Sequence, residues 1–214
     1  MKSVLVTGGT VRLGKAIAER LRGEGWRVLT SSHRADAGAD IVADLAEPMG
    51  AAKLYAAALQ MLGGQPPDAL VNNAALFTGD AAAIAAVNFE APKKLTMMMA
   101  GRETGMGAVV HVLDAGVANG QDARSTWRSS YCESKRELRA FTLSSAMMFA
   151  ATLRVNGVAP GAVMAPTEVH EKAGERLLER RPTADDVAAA VSYLLGAEAT
   201  TGCVIPVDGG QGMM

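Results

Sequence analysis

The stretch VTGGTVRLGKAIA, residues 6–18, decides how this chain is read. A β-branched apolar run ends in a glycine-rich turn, and the turn opens directly into an amphipathic, alanine-containing segment, so strand, turn and helix follow without a spacer. Gly8, Gly9 and Gly14 stand where a backbone can approach a pyrophosphate closely, and the next helix would turn its N–H groups and positive dipole end toward the phosphates. The alternative is that these glycines serve only a tight turn. Arg12 occupies a place where a dinucleotide-binding turn often has another glycine, and it calls for an explanation.

Outward from this turn the alternation repeats. SVLVTG, WRVLTSS, IVADL and DALVNNAA read as strands, with helix-like KAIAERLRGEG and GAAKLYAAALQML between them. GAVVHVLDAG, LRVNGVAPG and GCVIPVDGG continue the strands, with YCESKRELRAFTLSSAMMFA and ADDVAAAVSYLLG as helices, the latter carrying Asp185 and Asp186 at its positive N-terminus. Runs apolar throughout imply a sheet buried on both faces, and helices between strands imply parallel crossovers. The expectation is an α/β fold: a single-domain, Rossmann-type, doubly wound parallel sheet of about seven strands flanked by helices. No composition shift divides residues 1–214 into two domains. Residues 164–182, charged and just past a strand's carboxyl end, are the candidate substrate loop.

Composition narrows the partners. A chain of 214 residues, 49 % hydrophobic with net charge −1, suits one domain with a substantial core. Near-neutral charge, with no basic run beyond clusters such as ERRP, argues against nucleic acid. No apolar stretch approaches the roughly 20 residues that span a bilayer, and the N-terminus enters strand-like sequence at once, so a cytoplasmic location is expected. Cys132 and Cys203 lie far apart without metal-ligand spacing and read as reduced thiols; no metal is expected.

The second strand ends in TSSHRAD. A site for NAD would place an acidic side chain here against the ribose 2′-hydroxyl, whereas a site for NADP places a cation against the 2′-phosphate. Ser32, His33 and Arg34 come first, and a guanidinium forks onto phosphate, so the expected cofactor is NADPH/NADP+. In the alternative, Arg34 is a solvated charge and Asp36 reaches the ribose. Asp44, in IVADL, is placed either to bond the adenine amino group or to cap the following helix.

Taken in order, TGxxxxxG, DL after the third strand, NNA after the fourth, Asn88 in a helix, YxxxK at Tyr131 and Lys135, RVNGVAPG and a terminal VDGG resemble the short-chain dehydrogenase/reductases over nearly the whole chain. Arg12, the HR pair after strand two, Asp114 where serine is more usual, and Phe77 in NNAALF are similar to the pteridine reductase branch. The resemblance implies that Leu13, Gly14, Asp44, Leu45, Asn73, Ala74, Ala75, Pro160 and Gly161 line the cofactor with Gly8 and Arg12. It further implies that Phe77 faces the nicotinamide across a flat pterin ring, that Arg12 touches both the pyrophosphate and the substrate's polar edge, and that Asn88 holds a water on the proton path through its carbonyl in a kinked turn. His111 takes a place often held by asparagine and is expected in the core. Methionine clusters in TMMMA and SSAMMFA mark either core or the helices through which the resemblance implies a homo-oligomer, a tetramer or dimer.

Tyr131 and Lys135 are four apart on a helix, so both side chains emerge on one face. A free tyrosine titrates near about 10, and an adjacent ammonium lowers that value, which suits Tyr131 to act as general acid. Asp114 ends a strand on the ligand-binding side of the sheet; ionised it would orient the phenol, and protonated it would donate to the substrate. The segment between them, residues 114–131, is longer than the family's usual one, which leaves their approach open. The resulting expectation is an NADPH-dependent reductase of a dihydropteridine or dihydrofolate. A carbonyl or 3-oxoacyl reductase acting on a ketone, and a non-catalytic NADP(H)-binding sensor, are the alternatives.

Overall fold

The computed structural model of the protein describes residues 1–103, 105–118, 129–163 and 176–213. Seven strands run Ser3–Thr7 (β1), Arg27–Ser32 (β2), Ile41–Val42 (β3), Ala69–Asn72 (β4), Gly107–Val112 (β5), Leu153–Pro160 (β6) and Val204–Val207 (β7). They form one sheet in the order β3-β2-β1-β4-β5-β6-β7, every neighbouring pair parallel. This is the doubly wound arrangement expected from the alternation. The order reverses between β1 and β4, and the crevice outside their carboxyl ends is where such sheets bind ligands.

Successive strand residues feed opposite faces. Val4, Val6, Val71 and Val110 pack against Ile17 and Leu21 of helix α1 (Arg12–Gly23) and Val187, Val191 and Leu194 of α7 (Ala184–Gly196). Leu5, Leu70, Val109 and Val155 pack on the other side against Leu54 of α2 (Gly50–Met61) and Leu95 and Met99 of α4 (Ala91–Ala100). The remaining helices are α3 (Ala81–Ala85), α5 (Ala115–Ala118) and α6 (Ser129–Met148). Full burial of each such side chain is worth about 1.5–3 kcal/mol, so this two-sided core fixes the strand ends that carry the site.

One element departs from the sequence reading. β3 is a two-residue strand rather than the whole of IVADL. The chain turns at Asp44, whose carboxylate accepts from the Ala46 N–H at 2.8 Å. Asp44 therefore braces its own turn and does not cap α2, which starts after Met49. Leu45, expected beside the cofactor, has its side chain in the α2 core.

A π-turn, Ala86–Glu90, interrupts the helical stretch before α4, with the Ala91 N–H reaching back to the Ala86 carbonyl. Its cause is in the sequence: Pro92 has no N–H to give the Asn88 carbonyl, so the α-type ladder cannot continue there. Asn88 is thus no ordinary helix residue.

Candidate active site

The floor of the crevice is a hydrogen-bonded clamp between the ends of β1 and β4. Asn73 donates through Nδ2 to the carbonyls of Thr7 and Gly8 at 2.9 and 3.1 Å, and the Thr7 hydroxyl accepts from the N–H groups of Asn73 and Ala74, both at 3.0 Å. The glycines serve this packing as well as the turn. A Cβ on Gly14 would overlap the Gly8 carbonyl oxygen, and one on Gly9 would press on Thr30 Cγ2 at 2.8 Å. Arg12 has φ of +50°, the one non-glycine residue with positive φ among those described. The missing glycine of the turn has therefore been replaced in identity but not in backbone conformation, and the strain is carried by an exposed arginine at the mouth of the crevice.

The donor set around this turn fits an anionic dinucleotide. Helix α1 has no side-chain acceptor at its N-cap, Val11, and no acidic residue in its first turn; such an end favours phosphate. At the end of β2, the Arg34 N–H donates to Ser32 Oγ at 3.1 Å, and His33 and Arg34 are exposed. Arg34 donates from Nε and Nη2 to both oxygens of Asp36, at 3.0 and 2.8 Å. That fork holds the Asp36 carboxyl below the usual carboxylate range and raises the arginine. The two rival readings of this loop are thus a mutually bonded pair. Beyond the crevice, Pro160 is buried at the end of β6, and the Gly161 N–H donates to the Val207 carbonyl at 3.0 Å. Ala75 is exposed just after β4, and half-buried Leu13 packs against the α1 core.

The catalytic candidates converge at the carboxyl end of β5. Tyr131 donates its phenolic hydrogen to Asp114 Oδ2 at 3.0 Å, and Asp114 Oδ1 accepts from the Gly116 N–H at 2.8 Å. The long connecting segment has not separated them; residues 119–128 of it lie outside the described residues. The Lys135 ammonium is buried, 5.8 Å from the centre of the Tyr131 ring, and donates to the Val112 carbonyl at 2.8 Å. Burial lowers its pKa to about 8, opposed by the Asp114 charge. The Phe77 ring lies against Tyr131, centroids 4.9 Å apart and planes tilted by 57°.

Asn88 works through its side chain in a way the sequence reading did not anticipate. Its amide accepts from the Leu76 N–H at 2.8 Å and donates to the Leu76 carbonyl at 2.9 Å and to Ser134 Oγ at 3.1 Å. Ser134 Oγ in turn donates to the Tyr131 carbonyl at 2.7 Å. One asparagine therefore ties the segment carrying Phe77 to the helix carrying Tyr131 and Lys135. Ser134 was legible only as a hydroxyl three residues after the tyrosine, a spacing that faces it back along the helix.

Other motif residues prove architectural. Arg154 of RVNGVAPG is buried and caps α7, donating to the carbonyls of Leu194, Leu195 and Ala197 at 2.7–2.8 Å. Asn156 joins β6 to the Thr200 carbonyl and the Cys203 N–H. His111 is fully buried, as expected. The methionines divide: Met99 is core, whereas Met97, Met147 and Met148 are exposed. Of the candidate substrate loop, residues 164–175 lie outside the described residues.

Residues 2–177 match the family profile described as short chain dehydrogenase. A ketoacyl reductase named for the granaticin polyketide synthase of Streptomyces violaceoruber is 31 % identical, the alignment covering 98 % of this chain and 96 % of the relative. Pteridine reductase 1 of Leishmania tarentolae is 28 % identical over 98 % of this chain and 96 % of its own length. Among solved structures, FolM alternative dihydrofolate reductase 1 from Brucella canis, complexed with NADP, superposes with a TM-score of 0.86 at 30 % identity, covering 100 % of this chain and 95 % of that one.

Proposed function

This chain belongs to the short-chain dehydrogenase family, and from that membership we propose that it is an NADPH-dependent oxidoreductase acting on a pterin-like substrate, a dihydropteridine or dihydrofolate. The observation that carries the substrate class is the pairing of Tyr131 with Asp114, flanked by the Phe77 ring. A carboxylate beside the proton donor suits a basic, nitrogen-rich ring better than a simple carbonyl, and an aromatic wall suits a flat one. The likeness to FolM and pteridine reductase 1 supports the same class.

The glycine turn, the α1 N-terminus, Arg12 and the Ser32–Arg34 loop would hold the cofactor's phosphates, with Asn73, Ala74, Ala75, Lys135, Pro160 and Gly161 toward its nicotinamide end. When bound, NADPH supplies the hydride. Asp114 holds the phenol in place before transfer, and the Tyr131 O–H then turns from that carboxylate to deliver its proton to a ring nitrogen of the substrate. The Lys135 ammonium stabilises the phenolate that remains. Asn88 and Ser134 hold the tyrosine's helix against the Phe77 segment during this step. Exposed Met97 on α4 and Met147 and Met148 on α6 support a homo-oligomer built on these helices, and a cytoplasmic compartment, which keeps thiols reduced, suits a chain with only Cys132 and Cys203.

The test is NADPH oxidation by the purified protein with dihydrobiopterin, dihydromonapterin and dihydrofolate, set against ketones and 3-oxoacyl thioesters. Turnover of the pterins is expected. Turnover of ketones alone would move the assignment to carbonyl reduction, the chemistry in the name of the Streptomyces relative. Tight NADPH binding without oxidation on any substrate would favour a sensor.

A further inference from the structure

Behind Lys135, on the α4 side of the sheet, lies a polar seam that the chemistry above does not use. His111 of β5 is fully buried, and its Nε2 lies 3.3 Å from Thr96 Oγ1 of α4. The threonine hydroxyl has one hydrogen, and it is given to the Pro92 carbonyl at 2.8 Å. The hydrogen shared with His111 must therefore come from Nε2, which makes the neutral ring an Nε2–H tautomer with an acceptor lone pair on Nδ1. Burial and the Lys135 charge keep the ring neutral, holding its pKa down at about 3.

Among the described residues that Nδ1 has no hydrogen-bond partner. Asn72, 2 % exposed, is the register neighbour of His111 across β4 and β5, so the two side chains share one face of the sheet. Both polar atoms of the Asn72 amide also lack a hydrogen-bond partner among the described residues. The Asn72 Nδ2 donor and the His111 Nδ1 acceptor, cut off from solvent on one face of the sheet, form the kind of pair that a buried water bridges, since such waters make roughly two to four hydrogen bonds to otherwise unmatched polar atoms.

We propose that Asn72 and His111 hold a buried water molecule that accepts from Asn72 Nδ2 and donates to His111 Nδ1. It completes a one-way hydrogen-bonded chain from Asn72 through water, His111 and Thr96 to the Pro92 carbonyl. The chain ends two residues beyond the π-turn that carries Asn88, so His111 is a positioning residue for that turn. It does not touch the reacting atoms.

The chain contains three histidines, so ring ¹⁵N labelling gives a readable spectrum of the intact protein. One ring should carry its proton on Nε2, show Nδ1 as a hydrogen-bonded acceptor, and stay untitrated between about pH 5 and 8. Magnetisation should pass to it from a long-lived water. A proton on Nδ1, or an Asn72 amide bonded directly to Nδ1 with no water resonance, overturns the proposal. For the positioning role, amide exchange at Ala91, whose N–H closes the π-turn, should quicken at least tenfold in His111→Leu and return toward wild type in His111→Asn, which restores a donor and an acceptor. Unchanged exchange in His111→Leu would refute that role. The wild-type spectra decide the water even where a variant fails to fold.

Discussion

Tyr131 and Asp114 share a hydrogen bond of 3.0 Å, although they come from different elements, the start of a long helix and the end of a central strand. The other Asp114 oxygen is held by the Gly116 N–H, so the carboxylate is anchored before it meets the phenol. Asp114→Ala should remove the restraint on the phenol and lower kcat for a dihydropterin by about 10–100-fold, short of the roughly 10²–10⁴ that the proton donor itself contributes, because Asp114 orients the acid and is not the acid. NADPH affinity should hold within about twofold. Steady-state kinetics with a cofactor titration checks both, and an undiminished kcat would leave Asp114 without a catalytic part.

Tyr131→Phe keeps the ring contact with Phe77 and deletes the proton. The rate should fall by about 10²–10⁴, with cofactor binding little altered. Comparable turnover by the two proteins would remove the tyrosine as acid.

Lys135 sets stability and activity against each other. Its folded pKa of about 8 lies below the ordinary 10.5, so between those values the unfolded chain binds more protons and stability rises with pH. Below about 8 the ammonium is buried in full and its desolvation weighs on the fold; above 10.5 the group contributes nothing further. Activity that needs the ammonium falls through the same window. Urea midpoints at pH 7 to 10 should therefore climb for the wild type relative to Lys135→Met, while kcat/KM declines from about pH 8 upward. A constant difference between the two proteins would contradict the depressed pKa.

Arg12 holds a backbone conformation that glycine adopts freely. Arg12→Gly should relieve strain of roughly 1–2 kcal/mol while giving back about 0.5–1 kcal/mol in unfolded-chain entropy, for a protein as stable as wild type or slightly more so. NADPH affinity should drop several-fold. Stability and affinity falling together would mean that the arginine is structural.

Arg34→Ala should weaken NADPH far more than NADH, because only the former presents a 2′-phosphate to the guanidinium. Equal losses for the two cofactors, measured by fluorescence titration, would shift the selectivity to Asp36.

The architecture was legible because its causes are local and repeated: predominantly apolar strands such as ALVN and GAVVHV read as buried on both faces, and alanine-rich helices between them imply parallel order. The YxxxK spacing likewise placed Tyr131 and Lys135 together, since helical geometry needs no tertiary information. What could not be read was long-range and particular. Nothing in the order of residues says that the Asn88 amide closes on Leu76 from twelve positions away, that Arg34 and Asp36 grip each other, or that Asp44 spends its carboxylate on its own turn. Each depends on rotamers selected by packing. Pro92 was a visible signal for the π-turn whose consequence needed the helix around it.

The Asn88 amide meets Leu76 as a neighbouring strand would, donor to acceptor and acceptor to donor. That latch stands between the tyrosine's helix and the wall in front of it: Phe77 touches Tyr131 and Asp80 caps α3, so positions 78 and 79 between them are where the wall can change with least disturbance to the tyrosine's helix. Laboratory retargeting of this enzyme to new substrates should begin there.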